Sequence, residues 1–279
     1  MIRWYLVCVC LCNTFSVKAT DTRFADSLYA AGNFSAAALE YERNTYLDTS
    51  STSVIYALLK KSYCYRADNK FAEAYQTLSR VNCDKLTDSV QYIIRYERAL
   101  NAYLACDYQN AEFELVQMDF FIRDTLITEQ CLFLKIFILS EGENWEQTKF
   151  ILQKYLLSKH VKTDTINFDK LIPLRKIRSA KKAKLLSLII PGLGQAYSGY
   201  PGRAVSSLLL QGVAAAFTVV SIMNGFYIEG ISVGAIYFLR FYMGGARYAG
   251  QLAVKHNSKK YFEAKQRIKA MVLAIEKGN

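Results

Sequence analysis

Four segments of the chain superimpose without gaps at a spacing of 37 residues: "AGNFSAAALEY" (31–41), "DNKFAEAYQTL" (68–78), "ACDYQNAEFEL" (105–115) and "GENWEQTKFIL" (142–152). Repetition of this kind limits the architecture before any other signal does, because each copy must bury its apolar face against the next. An aromatic residue recurs at Phe34, Phe71, Tyr108 and Trp145. Three residues on stand Ala37, Ala74, Ala111 and Thr148, and four further on stand Tyr41, Leu78, Leu115 and Leu152. Seven residues before Gly32, Asn69, Cys106 and Glu143 stand Ala25, Ser62, Ala99 and Ile136. The spacing predicts pairs of helices. A polar or small turn ends helix A, and the aromatic opens helix B and packs back on A. The small residue admits close approach, and the large apolar residue follows one turn later on the same face.

These positions resemble the tetratricopeptide repeat: small residue, turn, aromatic, alanine, then tyrosine or leucine. That family's unit is 34 residues, so each connection here carries three more. The late positions match less well, and the proline that closes the family's repeat is missing. The resemblance implies a superhelical scaffold whose concave groove takes a protein or peptide ligand. The recurring aromatics belong to the core in that arrangement, not to the ligand site.

Charge divides the chain. Residues 20–160 carry 15 Lys/Arg against 19 Asp/Glu, a net of −4, whereas residues 161–279 carry 18 against 5, a net of +13. With 52% hydrophobic and 21% charged residues, the chain is greasy for a soluble protein and too charged for a pure membrane bundle. The basic residues flank apolar runs, so anionic membrane lipids, not nucleic acid, are the expected electrostatic partner.

The apolar runs follow a basic connector at 161–184, which has seven Lys/Arg between Lys170 and Lys184. Leu185–Tyr200 is too short to span a bilayer and is interrupted by Pro191 and Gly192. Ala204–Ile228 has no charge in 25 residues and reads as a transmembrane helix. A second span is expected from about Gly230 to Val254, with Gly230 and Gly234 packing on the preceding helix. Within it, Arg240 is an intramembrane charge that pairs with a partner helix or faces water, and Arg247 snorkels. In residues 185–200 the proline removes a donor, and Gln195 is expected to satisfy the freed carbonyls. Tyr197 and Tyr200 are expected to hold the turn at headgroup level. The tail, 255–279, places Tyr261, Ala264, Ile268, Met271 and Ile275 at helical spacing among seven Lys/Arg. It is expected to lie on an anionic membrane surface, with a coiled-coil contact as the alternative.

The stretch "KAKLLSLIIPGLGQAYSGYPGRA" resembles a bacterial two-helix membrane domain of unknown function marked by P-G-L-G-Q-x-Y-x-G before a hydrophobic hairpin. "YAGQLAVKHN" (248–257) resembles the small-residue segment that closes such domains. The resemblance covers roughly 180–257 and places the family's motif on Pro191, Gly192, Gly194, Gln195, Tyr197 and Gly199. This chain departs from it at Pro201-Gly202-Arg203, where an aromatic-lysine pair is usual. Members of that family commonly join the domain to a signal peptide or helical repeats, frequently in Bacteroidetes-type bacteria. No activity is attached to it.

The first 19 residues read as a signal peptide: Arg3, an apolar run from Trp4 to Cys12, and Val17-Lys18-Ala19 before the cut. Export places the repeats in the periplasm, anchored at the inner membrane. The positive-inside rule instead draws both basic clusters to the cytoplasm. The leader and its cleavage site agree with each other, and the periplasmic assignment follows them. Cys64, Cys83, Cys106 and Cys131 have no metal or redox spacing and are either core thiols or up to two disulfides.

The expected fold is therefore all-α: a signal peptide (1–19), a TPR-like helical-hairpin solenoid of four repeats (20–160), the connector (161–184), a membrane domain of one broken half-helix and two transmembrane helices (185–254), and the basic tail (255–279). Catalysis is not expected. Only His160 and His256 are present, and residues 192–199 lack the lysine of a phosphate loop and the third glycine of a dinucleotide fingerprint. Neither a metal site nor a cofactor is expected. The function expected is a non-enzymatic, membrane-anchored scaffold for protein–protein interaction at the cell envelope. The alternative is a structural part of a membrane assembly or translocation complex.

Overall fold

The computed structural model describes residues 22–47, 50–124, 129–161, 167–172 and 177–278, and every regular element among them is helical. The expected signal peptide at 1–19 lies outside the described residues. The chain divides into two compact units, Met1–Tyr155 and Leu156–Asn279.

In the first unit, helices α1 (Arg23–Ala30), α2 (Phe34–Leu47), α3 (Ser51–Ala67), α4 (Phe71–Ser79), α5 (Asp88–Leu104), α6 (Tyr108–Phe121), α7 (Leu132–Glu141) and α8 (Trp145–Ser158) follow in order. From α1 to α7 each packs on its neighbour in sequence. The four recurring aromatics are the first residues of α2, α4, α6 and α8. Each preceding helix ends in a left-handed residue, Gly32, Asn69, Cys106 or Glu143, with φ of 79°, 59°, 61° and 59°. The next amide closes the turn onto a carbonyl five residues back: Asn33 to Leu28 (2.9 Å), Lys70 to Tyr65 (2.8 Å), Asp107 to Ala102 (2.9 Å) and Asn144 to Leu139 (3.0 Å). This Schellman closure satisfies carbonyls that a helix end otherwise orphans.

Behind the turns, Ala37, Ala74, Ala111 and Thr148 are all fully buried, as are Tyr41, Leu78 and Leu152. The aromatics pack back as expected where the preceding helix offers a ring: Tyr29 against Phe34 at 5.3 Å and Tyr103 against Tyr108 at 6.0 Å. Phe34, Phe71 and Tyr108 are only half-buried, and Trp145 alone sinks fully. One polar device joins adjacent hairpins. Buried Arg98 donates to the carbonyls of Leu78 (2.7 Å) and Val81 (2.5 Å) at the end of α4, where a cation meets the negative helix terminus. Its neighbour Glu114 also faces Arg95, and burial pushes that carboxyl up while Arg98 and Arg95 pull it down. Cys64, Cys83, Cys106 and Cys131 form no disulfide; all but Cys106 are buried.

The second unit holds α9 (Phe168–Leu171), α10 (Ala180–Ile189), α11 (Leu193–Tyr197), α12 (Pro201–Met223), a short turn α13 (Tyr227–Glu229), a π-helical turn at Gly230–Ala235 and α14 (Ile236–Gly278). Two expected boundaries move. The Ser179 hydroxyl accepts from the Lys182 amide and starts α10 inside the expected connector, where "AKKAK" favours helix. No proline, and no glycine between Gly250 and Gly278, interrupts the end of the chain. The expected second span and tail are therefore one 43-residue helix, about 65 Å long. Of the expected tail stripe, Ala264 and Ile268 are buried by the chain itself, and Val272 beside them.

Candidate functional site

The motif residues converge on one knot. Residues 185–189 finish α10, and Ile190 turns extended at φ −131°, ψ 120°. Pro191 and left-handed Gly192 (φ 89°) reverse the chain into α11, and left-handed Gly199 (φ 82°) reverses it again into α12. The glycines answer to close approach as well as to φ. A Cβ on Gly192 meets the Ala204 carbonyl at 2.6 Å, and one on Gly194 meets the Ala183 carbonyl at 2.0 Å and Ser187 Oγ at 2.4 Å. Backbone cannot yield there as a flexible side chain does at Gly199, where the obstacle is the Arg178 guanidinium.

Gln195, 1% exposed, sits at the centre. Its Oε1 accepts from Ser187 Oγ at 2.8 Å, and its Nε2 donates to Ser207 Oγ at 3.3 Å and to the Gly245 carbonyl of α14 at 3.1 Å. Ser187 Oγ in turn accepts from the Gly194 amide at 3.1 Å. The glutamine thus ties α10, α11, α12 and α14 together. It does not serve the carbonyls freed at Pro191: Leu188 receives its hydrogen bond from the Tyr242 hydroxyl. The Tyr197 hydroxyl accepts from the Ser179 amide at 3.2 Å and secures the start of α10. Ser198 donates to the Ala249 carbonyl at 3.0 Å. Asn257 clasps the Arg178 backbone from both sides, donating to its carbonyl (2.8 Å) and accepting from its amide (2.9 Å). An alanine seam of Ala183, Ala249 and Ala253 lies between these ties. The segments that carry the resemblance, 180–203 and 248–257, therefore meet in space.

Beyond the knot, α12 presents an inverted distribution. Ser207, Gln211, Thr218 and Ser221 repeat at intervals of four, seven and three and face inward, half-buried or buried. Leu209, Val213, Phe217 and Val220 are exposed. Gly230 and Gly234 close the packing: a Cβ on Gly234 lies 2.9 Å from Thr218 Cα, and one on Gly230 lies 2.9 Å from Ile222 Cγ1. Among the described residues α12 is the one helix long and apolar enough to cross a membrane, and only 11% of its apolar stretch is buried. The core helix of a soluble protein is mostly covered, whereas this apolar stretch is mostly exposed. The expected partner span, with Arg240 and Arg247 both exposed, does not reach that standard by itself.

In the first unit, Val116, Phe120, Phe150 and Ile151 line a groove of about 510 Å³ with Glu112 and Asp119. Buried Lys135 is paired with Asp119. Phe120 and Phe150 are strongly exposed. Sequence periodicity did not single these out, because they occupy the faces that the repeat leaves variable. Among the described residues no cluster of three His, Cys, Asp or Glu is placed to hold a metal ion. No family model, no curated protein and no solved structure matches the chain.

Proposed function

We propose that the chain is a non-enzymatic, membrane-anchored scaffold of TPR type, in which residues 22–155 dock a protein or peptide at the cell envelope and α12 with the first part of α14 anchors it in the bilayer. The observation that carries the anchor is α12 itself: apolar side chains outward, hydroxyl and amide groups inward, glycines where the next helix crosses. Twenty-three residues rise about 34 Å, enough for a hydrocarbon core of about 30 Å. In lipid, small residues and interhelical hydrogen bonds hold helices together, as Gly230, Gly234 and Gln195 do here. The anchor belongs to the bacterial inner membrane with the repeats periplasmic, and the leader supports that sidedness.

The groove bounded by Phe120 and Phe150 is the docking site. Its acidic margin and the net charge of the repeats suit a ligand with apolar anchors and basic flanks. Carbonate washing of membranes tests the anchor: the chain stays with the bilayer, and its release into the aqueous fraction removes the proposal. Protease access in intact spheroplasts fixes the side. A photo-cross-linking residue at Phe120 or Phe150 captures the ligand, whereas one at Leu39, exposed elsewhere, does not. Loss of transport on changing Gln195 or Arg240, with ligand capture intact, would instead favour a component of a translocation complex.

A further inference from the structure

A pocket of about 390 Å³ opens between α12 and α14, walled by Arg203, Ser206, Ser207, Gln211, Arg240 and Tyr248. Gln195, Gly244 and Gly245 also line it, and Leu210 and Phe241 supply apolar surface. Two arginines contribute to it, and neither has a carboxylate partner among the described residues. Between residues 185 and 254 the only acid is Glu229, at the far end of α12. Arg203 lies over the rings of Tyr200 and Tyr248, at 5.6 and 5.4 Å. Stacking of this kind holds a guanidinium by its face and leaves its edge donors for an oxyanion. Gln211 is the independent sign of a missing ligand. It is 4% exposed, its Nε2 donates to Ser207 Oγ at 3.1 Å, and its Oε1 has no hydrogen-bond partner. A buried acceptor left unsatisfied is costly and is seldom kept without a partner.

We propose that this pocket binds the headgroup of an anionic phospholipid whose phosphodiester is capped by a free hydroxyl, as in phosphatidylglycerol. The phosphate sits between the Arg203 and Arg240 guanidiniums, whose planar forks match its oxygens. A headgroup hydroxyl donates to Gln211 Oε1. The acyl chains leave along the apolar wall at Leu210 and Phe241 and over the exposed side chains of Leu239 and Met243. A zwitterionic amine headgroup is disfavoured, because its ammonium meets two guanidiniums and no carboxylate. The site depends on the bilayer placement of α12 proposed above.

The full chain, reconstituted in phosphatidylcholine nanodiscs with minor phosphatidylglycerol or phosphatidylethanolamine, tests this by native mass spectrometry of the lipids it retains. Phosphatidylglycerol is enriched on the wild type. Arg203→Gln and Arg240→Gln each lower its retention about tenfold, the scale of one charged hydrogen bond. Arg240 is exposed, and a variant that keeps the wild-type melting transition reads binding alone. Gln211→Leu lowers retention of phosphatidylglycerol but leaves that of phosphatidic acid, which lacks the capping hydroxyl. Arg247→Gln, an arginine outside the pocket, changes nothing. Equal loss with Arg247→Gln, or equal retention of phosphatidylethanolamine, overturns the site in favour of general surface charge. Displacement by soluble glycerol 3-phosphate assigns the pocket to a free phosphate ester and overturns the lipid. A chain that never enters the discs overturns the bilayer placement itself, whereas one that enters without lipid preference overturns the pocket only.

Discussion

Gly32 and Gly192 both sit in the left-handed region, at φ 79° and 89°, yet they answer to different constraints. A Cβ on Gly32 meets nothing within 4 Å, and the same turn is made elsewhere in the repeats by Asn69, Cys106 and Glu143. A Cβ on Gly192 strikes the Ala204 backbone. The first unit therefore asks its turns only for a backbone angle, which asparagine, cysteine or glutamate supplies at modest strain. The second unit asks for the angle and for the absence of a side chain. Its packing is inverted too. The repeats put Ala, Leu and Tyr inside, and α12 puts Ser, Thr and Gln inside and Leu, Val and Phe out. A core built on apolar area tolerates variation at its edges. One built on backbone contact and a few hydrogen bonds does not.

The largest test of that contrast is Gly194→Ala. With the Ala183 carbonyl at 2.0 Å from the new methyl, α10 and α11 must part. The expected loss is about 3 kcal/mol or more, read as a collapse of the detergent-solubilised melting transition. A near-normal transition would show that the second unit is no tighter than the first. Next comes Gln195→Glu, which sets a carboxylate against the Gly245 carbonyl in place of a donor. About 3 kcal/mol is expected, and more than for Gln195→Leu, which only deletes the bonds; a reversed order in denaturant titrations would mean that shape, not donation, is what counts. Gly32→Ala is expected to cost about 1 kcal/mol from φ alone, and Cys106→Gly to return up to that amount, both by chemical unfolding. A cost for Gly32→Ala near that of Gly194→Ala erases the distinction.

The smallest effect is a pH dependence. Burial, then Arg178, Lys260 and Lys259, hold the His256 imidazole below its ordinary value of 6.5. A lowered folded-state value means the neutral ring is favoured. Stability from this group is complete above 6.5 and is lost as pH falls through the lower value. Melting temperature should therefore decline on acidification below 6.5, and His256→Gln should remove that part of the slope.

Much of the first unit was legible because its information is local. Ala37, Ala74, Ala111 and Thr148 lie at one phase of one period, and a side chain's phase on a helix decides its burial. The glycines and Gln195 of the knot also stood out against an apolar run. What Gln195 touches did not: Gly245 is 50 residues away, and no local pattern encodes which distant carbonyl a side chain reaches. Tyr242 taking the Leu188 carbonyl and Asn257 clasping Arg178 were invisible for the same reason. The tail stripe was read correctly as a helix face, but periodicity reports that a face is apolar and not what covers it. Ala264 and Ile268 are covered by protein. The Ser207–Gln211–Thr218–Ser221 spacing was there to be read as the inward face of α12.

The reach of the Gln195 and Asn257 contacts also sets an order of events during synthesis. Gly245 leaves the ribosome 50 residues after Gln195, and Asn257 leaves it 79 residues after Arg178. At about 5–20 residues per second, the nascent chain holds this glutamine for roughly 3–10 seconds before its last partner exists. The reversal at Pro191–Gly192 is made early, and it is locked late.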